Sequence, residues 1–506
     1  MTLANKTIGN AIAGALGYVW PIALALATTP YIVHKLGNDA YGILALVTSV
    51  LGFFAFLDLG VTNAAVKYIA EAYARNDLKE IGKIIGSSLS VFLLVGAVGA
   101  VLIAAMTSVL VQKLLRIPAE YASESAFAFY VAACGFVLNM AAGVFAAVPK
   151  AIQRYDLATK ANMLIGTLLT LSTVLIIALG YGLRQVVILN FLSGVLSLCI
   201  YIAITKRHLK GVSLAVRFDG ATFKKLFRFG VYSLVVILAA TTCYQLDRVL
   251  IGSFLGSAAV AFYVVPASVA AAIRNIDTSL MGVVFPLCSH LSATNEIDKM
   301  RYLYLRASKY AFIVVLSLAT PVIVLSGKIM TIWMGPEYAA SSPVLAVLAL
   351  TTVFNSVATV PFLILDGTGL PHVNARFSVL SGILNIVLCF LLIPSFGLIG
   401  AAFANLSNVI IVFAYLVTVD RNIMHIGLKH IAVDVWLRPF LTCLLQGAVT
   451  YYAFMPYVSG KASLLLALAS SLGIYYGAAF VFNIVDTEDR DLFRQYVSLK
   501  VKEGIS

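Results

Sequence analysis

Asp247 and Arg248, and further along Arg274 and Asp277, stand inside long apolar stretches of the chain. A charge at mid-bilayer costs roughly 2.5–3.5 kcal/mol on insertion scales, so such residues usually line a polar path rather than face lipid. An arginine keeps its charge in a partly dry cavity and can grip an anionic group through two parallel N–H donors. A carboxylate in low dielectric can gain or lose a proton, or hold sodium, during a transport cycle. Arg248 and Arg274 are therefore binding candidates, and Asp58, Asp247 and Asp277 are candidates for ion coupling. Structural alternatives stand beside them. Arg274 and Asp277 are three residues apart on one helical face and can neutralise each other. Asp58-Leu59-Gly60 can cap a helix break. Asp247 and Arg248, being adjacent, cannot point the same way.

Helices must hold these side chains. The 506 residues are 61% hydrophobic and only 11% charged, against about 25% charged in a soluble domain. The apolar residues come in membrane-length runs; 84–112 and 462–485 carry no charge at all. Backbone facing lipid must satisfy its own hydrogen bonds, so each run is expected to be a helix. The alternation of an outer-membrane barrel is absent. Cutting at charged, turn-rich loops predicts an all-α integral membrane protein of about fourteen spanning helices. Among them are helices over 42–66, 258–286, 397–419 and 433–456. The first apolar segment is longer than the core of a signal peptide and is expected to be the first span.

The net charge of +13 fits basic loops on the cytoplasmic face, not nucleic-acid binding. Of the 35 Lys and Arg residues, 27 fall on one side of the predicted topology and six on the other. Both termini are thus expected inside, with an even number of spans. Six scattered cysteines, with no CxxC spacing, read as small buried hydrophobes rather than disulfides or metal ligands. There is no phosphate-binding Gly-x-x-x-x-Gly-Lys-Ser/Thr loop and no large extramembrane segment. A non-enzymatic protein without cofactor or metal is expected.

The chain also repeats. Leu36-Gly37 matches Leu255-Gly256, and the same spacing of 219 takes Asp58 to Asp277 and Asn76-Asp77-Leu78 to Asn295-Glu296-Ile297. Asn162 matches Asn374, and Asn190 matches Asn405, at slightly shorter spacings. The first twelve helices therefore divide into two six-helix copies of the same orientation, related by a pseudo-twofold along the membrane normal, with a site between lobes. The expected units are a lobe at 1–206, a basic cytoplasmic linker at 207–225, a second lobe at 226–421, two extra helices within 422–485, and a cytoplasmic tail at 486–506.

Two six-helix lobes plus an extra pair resemble the multidrug/oligosaccharidyl-lipid/polysaccharide exporter superfamily. The stretches Leu36-Gly37-Asn38-Asp39-Ala40-Tyr41-Gly42, Phe53-Phe54-Ala55-Phe56-Leu57-Asp58-Leu59-Gly60 and Lys67-Tyr68-Ile69-Ala70-Glu71 resemble the start of Wzx-type polysaccharide-unit flippases. This covers about the first 85 residues; the remainder is similar through helix count and repeat. The resemblance implies a flippase of the bacterial inner membrane. Its substrate would be an oligosaccharide unit on undecaprenyl diphosphate, moved from the cytoplasmic to the periplasmic leaflet for O-antigen, capsule or exopolysaccharide assembly. Membrane lipids, a polysaccharide polymerase and a chain-length regulator would be its partners. Arg248 and Arg274 then become candidates for the diphosphate. An ion-coupled drug exporter and a peptidoglycan-precursor flippase of the same superfamily are the alternatives.

Other residues read more plainly. Lys67 and Glu71 suit a helix-end ion pair, and Asp366 a turn. Trp20, Tyr451 and Tyr452 suit interfacial or packing positions. Pro21 and Pro30 in the first helix, and Pro266 and Pro286 in the eighth, suit kinks that either bend during transport or stay fixed.

Overall fold

The computed structural model describes residues 3–58, 60–427, 432–482 and 484. Among them there are helices and turns and no strand. In chain order the α-helices are α1 Leu3–Leu36, α2 Asn38–Phe53, α3 Val61–Ala74, α4 Leu78–Val109, α5 Ala122–Ala151, α6 Tyr155–Ala178, α7 Leu183–His208, α8 Gly220–Leu255 and α9 Ser257–Met281. They continue as α10 Val284–Ala293, α11 Ile297–Val324, α12 Ser326–Ile329, α13 Ser342–Gly367, α14 Pro371–Phe396, α15 Leu398–Leu406, α16 Val409–Thr418, α17 Arg438–Val449 and α18 Lys461–Val481. Eleven stretches among the described residues are long and apolar enough to cross a membrane. α1, α8 and the segment around α17 are helical where the other three spans are expected. The tail at 486–506 and the side chain of Cys243 lie outside the described residues.

Packing repeats with the sequence. In the first lobe α1 packs on α6, α4 on α5 and α5 on α7; in the second, α8 packs on α14, α11 on α13 and α13 on α15. Local geometry repeats too. Gly37 (φ 85°, ψ 157°) precedes α2, and Gly256 (φ 93°, ψ 172°) precedes α9, in a backbone region that glycine enters freely. Asn76 and Asn295, which end α3 and α10, both have φ 56°. A π-helical turn follows the long helix in each lobe, at Leu110–Leu114 and Met330–Met334.

The lobes meet along α2 and α9. Ile43, Leu46 and Val50 of α2 are buried in one core with Leu250 and Ile251 of α8 and Val260 of α9. Gly42 permits the approach: a Cβ there would lie 1.9 Å from the Ser257 carbonyl oxygen. Ser257 also donates a hydrogen bond to Asp39, and Tyr338 donates one to Asn38 at 2.7 Å.

The structure corrects several expected boundaries. The span expected at 42–66 is broken, with α2 passing through a 3-10 turn at Phe54–Asp58 into α3. The one expected at 258–286 ends at Met281, which places Pro286 in the first turn of α10. That at 397–419 is divided into α15 and α16, and that at 433–456 combines π-helical turns with α17. Continuous apolarity hides such breaks, because the residues stay apolar while the hydrogen-bond register changes. Cys288, Cys389 and Cys443 are buried free thiols as expected, but Cys134 and Cys199 are exposed on helix faces.

Candidate functional site

Asp247 is buried in the second lobe, where α8, α9 and α15 converge. The Tyr263 hydroxyl donates to its Oδ2 at 2.7 Å, and Asn405 Nδ2 lies 3.4 Å from the same oxygen. Asn405 Nδ2 also lies 3.1 Å from the Tyr263 hydroxyl, and its Oδ1 receives a long contact of 3.5 Å from Asn385 of α14. All four side chains are buried. A buried polar group is costly unless satisfied, so this cluster fixes four helices relative to one another. The position 219 residues before Asp247 is Thr28, so the first lobe has no matching carboxylate.

Arg248 diverges from Asp247. Its backbone N–H donates to Asp247 Oδ1 at 2.7 Å, while its side-chain Nε is buried without a hydrogen-bond partner. Two and three residues further along α8, Leu250 and Ile251 pack in the core shared with α2.

Arg274 and Asp277 line a cavity of about 600 Å³ bounded by α9, α13, α14, α15 and α16. Asp277 is buried and accepts a hydrogen bond from Thr359 Oγ1 at 2.7 Å; its second oxygen has no partner. The internal Arg274–Asp277 pair is therefore not what Asp277 uses. Asn405 lines the same cavity and so joins it to the Asp247 cluster. Toward the α14 end, Asn374 donates to Asp366 Oδ1 at 2.8 Å and to the Phe362 carbonyl at 2.9 Å, and accepts from the Tyr415 hydroxyl at 2.7 Å. Asp366 thus closes the last turn of α13 onto the start of α14, matching its expected turn role.

Arg274 lines this cavity, and Arg248 is not among its lining residues. Arg274 is eleven residues past Tyr263, about 16 Å along α9 at 1.5 Å per residue, and Tyr263 touches Asp247. Asp58, though repeat-matched to Asp277, has a different hydrogen-bond partner. Its Oδ1 accepts from the Thr62 backbone N–H at 2.9 Å, across the break that starts α3. Lys67 and Glu71 form the expected exposed ion pair, 4.0 Å apart.

An apolar groove of about 550 Å³ adjoins the cavity, lined among others by Phe312, Leu316, Phe354, Trp436, Phe440 and Leu444. The wall between them is α13 and α16. Thr352, Asn355, Ser356 and Thr359 of α13 face the cavity, whereas Leu350, Val353, Phe354 and Val357 face the groove. Val412 of α16 borders both.

Sequence reasoning singled out the charges and passed over Tyr263, Asn374, Asn405, Asn408 and Tyr415. The signal was present, since an asparagine in an apolar membrane helix needs a partner, and Asn374 and Asn405 were already visible as repeat matches.

A family model described as polysaccharide biosynthesis protein matches residues 36–343. A protein of Shigella flexneri named for O-antigen transport is 23% identical over 400 residues, 78% of this chain and 93% of that protein. A protein of Haloferax volcanii named for flipping in low-salt glycan biosynthesis is 29% identical over 182 residues, 36% of this chain and 39% of that protein. Among solved structures, the lipid II flippase MurJ in an inward closed conformation superimposes with TM-score 0.74 at 13% identity, covering 96% of this chain and all of that one. An inward-facing multidrug transporter of the MATE family gives TM-score 0.66 at 14% identity, over 80% of this chain and 97% of that one.

Proposed function

The chain belongs to the polysaccharide biosynthesis protein family, as a Wzx-type membrane flippase of the multidrug/oligosaccharidyl-lipid/polysaccharide exporter superfamily, and from that premise we propose that it moves undecaprenyl-diphosphate-linked oligosaccharide units from the cytoplasmic to the periplasmic leaflet. The observation that carries the proposal is the cavity lined by Arg274, Asp277 and several Asn, Ser and Thr side chains, lying back to back with the apolar groove across α13 and α16. A lipid-linked sugar has a hydrophilic head and a long apolar tail. A site for it needs both environments within reach of one molecule, and a water-soluble sugar would need only the first.

The roles follow from position. Arg274, in the cavity wall, holds the diphosphate. Arg248, beside the lobe interface, is the second basic contact as the lobes rock. The groove takes isoprenoid tail, with α17 as one wall. Asp247 carries the coupling proton or sodium ion; Tyr263, Asn385 and Asn405 tie its state to α9, α14 and α15. Asp58, whose Oδ1 accepts from the Thr62 backbone N–H, is assigned to holding the start of α3. The lobes span 1–206 and 226–421, joined by the linker at 207–225. With both termini cytoplasmic, the α2–α9 contact lies at the periplasmic end, so the cavity is reached from the cytoplasmic leaflet. The product leaves toward a polymerase and its chain-length regulator.

The test is the level of undecaprenyl-diphosphate-linked sugar in a deletion strain. The proposal expects accumulation relieved by the wild-type chain and not by equally expressed Arg274→Ala. Relief by both would make Arg274 structural. No accumulation would move the drug-exporter reading to the front.

A further inference from the structure

We infer that the second-lobe cavity reads the sugar next to the diphosphate and favours an uncharged, donor-rich sugar over one bearing a carboxylate. The inference deepens the flippase reading and rests on it. Two buried acceptors in the cavity lining lack partners: Oδ1 of Asp277, 2% exposed, and Oδ1 of Asn408, 7% exposed. They come from different walls, α9 and the turn that starts α16. A buried acceptor left unsatisfied costs about 1–3 kcal/mol; both oxygens are closed to water here, and a side-chain rotation that turns either toward the cavity lets a sugar hydroxyl or acetamido N–H satisfy it. Asn355, Ser378 and Ser381 add amide and hydroxyl groups to the same lining.

Charge sets the second half of the preference. Arg274 and Asp277 are the charged residues of the lining. With Arg274 committed to the diphosphate, the sugar meets the Asp277 carboxyl. A sugar carboxylate there would face like charge in a poorly solvated cavity, where Coulomb interactions are stronger than in water. A neutral hexosamine meets two acceptors and no repulsion. Sites that bind by directed hydrogen bonds discriminate strongly against ligands that leave those groups unpaired.

The experiment measures binding to the full chain in detergent with three probes: undecaprenyl diphosphate alone, the same lipid carrying N-acetylglucosamine, and the same lipid carrying glucuronic acid. The N-acetylglucosamine lipid is expected to bind at least about tenfold more tightly than the bare lipid, equivalent to about 1.4 kcal/mol. The glucuronic acid lipid is expected to show no such gain. Asn408→Leu is expected to collapse the difference between the N-acetylglucosamine and bare lipids. Asp277→Asn, close to isosteric, is expected to raise affinity for the glucuronic acid lipid. Equal binding of both sugar lipids, or a gain that survives both substitutions, overturns the inference while leaving the flippase reading in place. Failure of all three lipids to bind overturns the flippase reading as well.

Discussion

Tyr415 donates its hydroxyl proton to Oδ1 of Asn374 at 2.7 Å, tying α16 to α14 beside the cavity. The first lobe repeats the bond: Tyr201 donates to Oδ1 of Asn162, also at 2.7 Å. The two surroundings differ, since Asn374 is buried and Asn162 is exposed. Removing the Tyr415 hydroxyl leaves a buried oxygen unsatisfied, at about 1–3 kcal/mol; removing that of Tyr201 leaves one that can find another donor. Tyr415→Phe is thus expected to lower the melting temperature of the purified protein clearly more than Tyr201→Phe. Equal losses would mean the exposure difference has no energetic weight.

Gly42→Ala tests the lobe contact. Its Cβ would meet backbone at Ser257, and backbone cannot rotate away as a side-chain tip can. The first turns of α2 and α9 must separate. Cysteines placed at Asp39 and Ser257, whose side chains touch, should cross-link in the parent and several-fold less with Gly42→Ala added. Unchanged cross-linking would show that this approach is not needed for closure.

The repeat made much of this architecture readable. Leu36-Gly37 and Leu255-Gly256 share an unusual backbone conformation, and Asn76 and Asn295 share another, so these sequence matches recorded geometry directly. The matched aspartates sit in different settings for a physical reason. α2 stops at Phe53 while α9 runs on to Met281, so Asp58 falls at a helix start and Asp277 inside a helix. Sequence spacing gives order along the chain but not where a helix breaks within an apolar run. The Asp247 cluster was hidden differently: Tyr263, Asn385 and Asn405 come from three helices, and only packing brings them to one carboxylate.

The basic linker is expected to be held at the start of α8 by Asp219. Its Oδ2 accepts from the Thr222 backbone N–H at 2.8 Å and from the Thr222 hydroxyl, while Ser87 of α4 donates to its carbonyl at 3.2 Å. The Thr222 hydroxyl and amide hold the Asp219 carboxyl below the usual carboxylate range. A lowered value means the cap is stabilising above the unfolded value, about 3.9, and is lost as pH falls through the folded one. Hydrogen exchange in the first turn of α8 should therefore be slow at neutral pH and accelerate in acid beyond its intrinsic trend. Asp219→Ala should show the fast exchange at neutral pH, and identical protection in parent and variant would rule the cap out.

Asp247 offers the sharpest separation of coupling from structure. Asp247→Asn keeps the shape; its oxygen can accept from the Arg248 N–H while its amide donates to the Tyr263 hydroxyl, so the protein should fold with nearly unchanged melting temperature. It removes the charge that would hold sodium and the group that would exchange a proton. Asp247→Leu also removes the acceptor and leaves the buried Tyr263 and Asn405 donors to find others, a loss of about 1–3 kcal/mol. If Asp247 couples transport, both variants fail to relieve lipid-linked sugar accumulation, although only the leucine variant is clearly destabilised. Vesicles containing Asp247→Asn should also lose any dependence of lipid movement on a sodium or proton gradient. If Asp247 only holds α8, α9 and α15 together, Asp247→Asn restores export and retains the gradient dependence. That outcome would move the coupling site elsewhere in the chain.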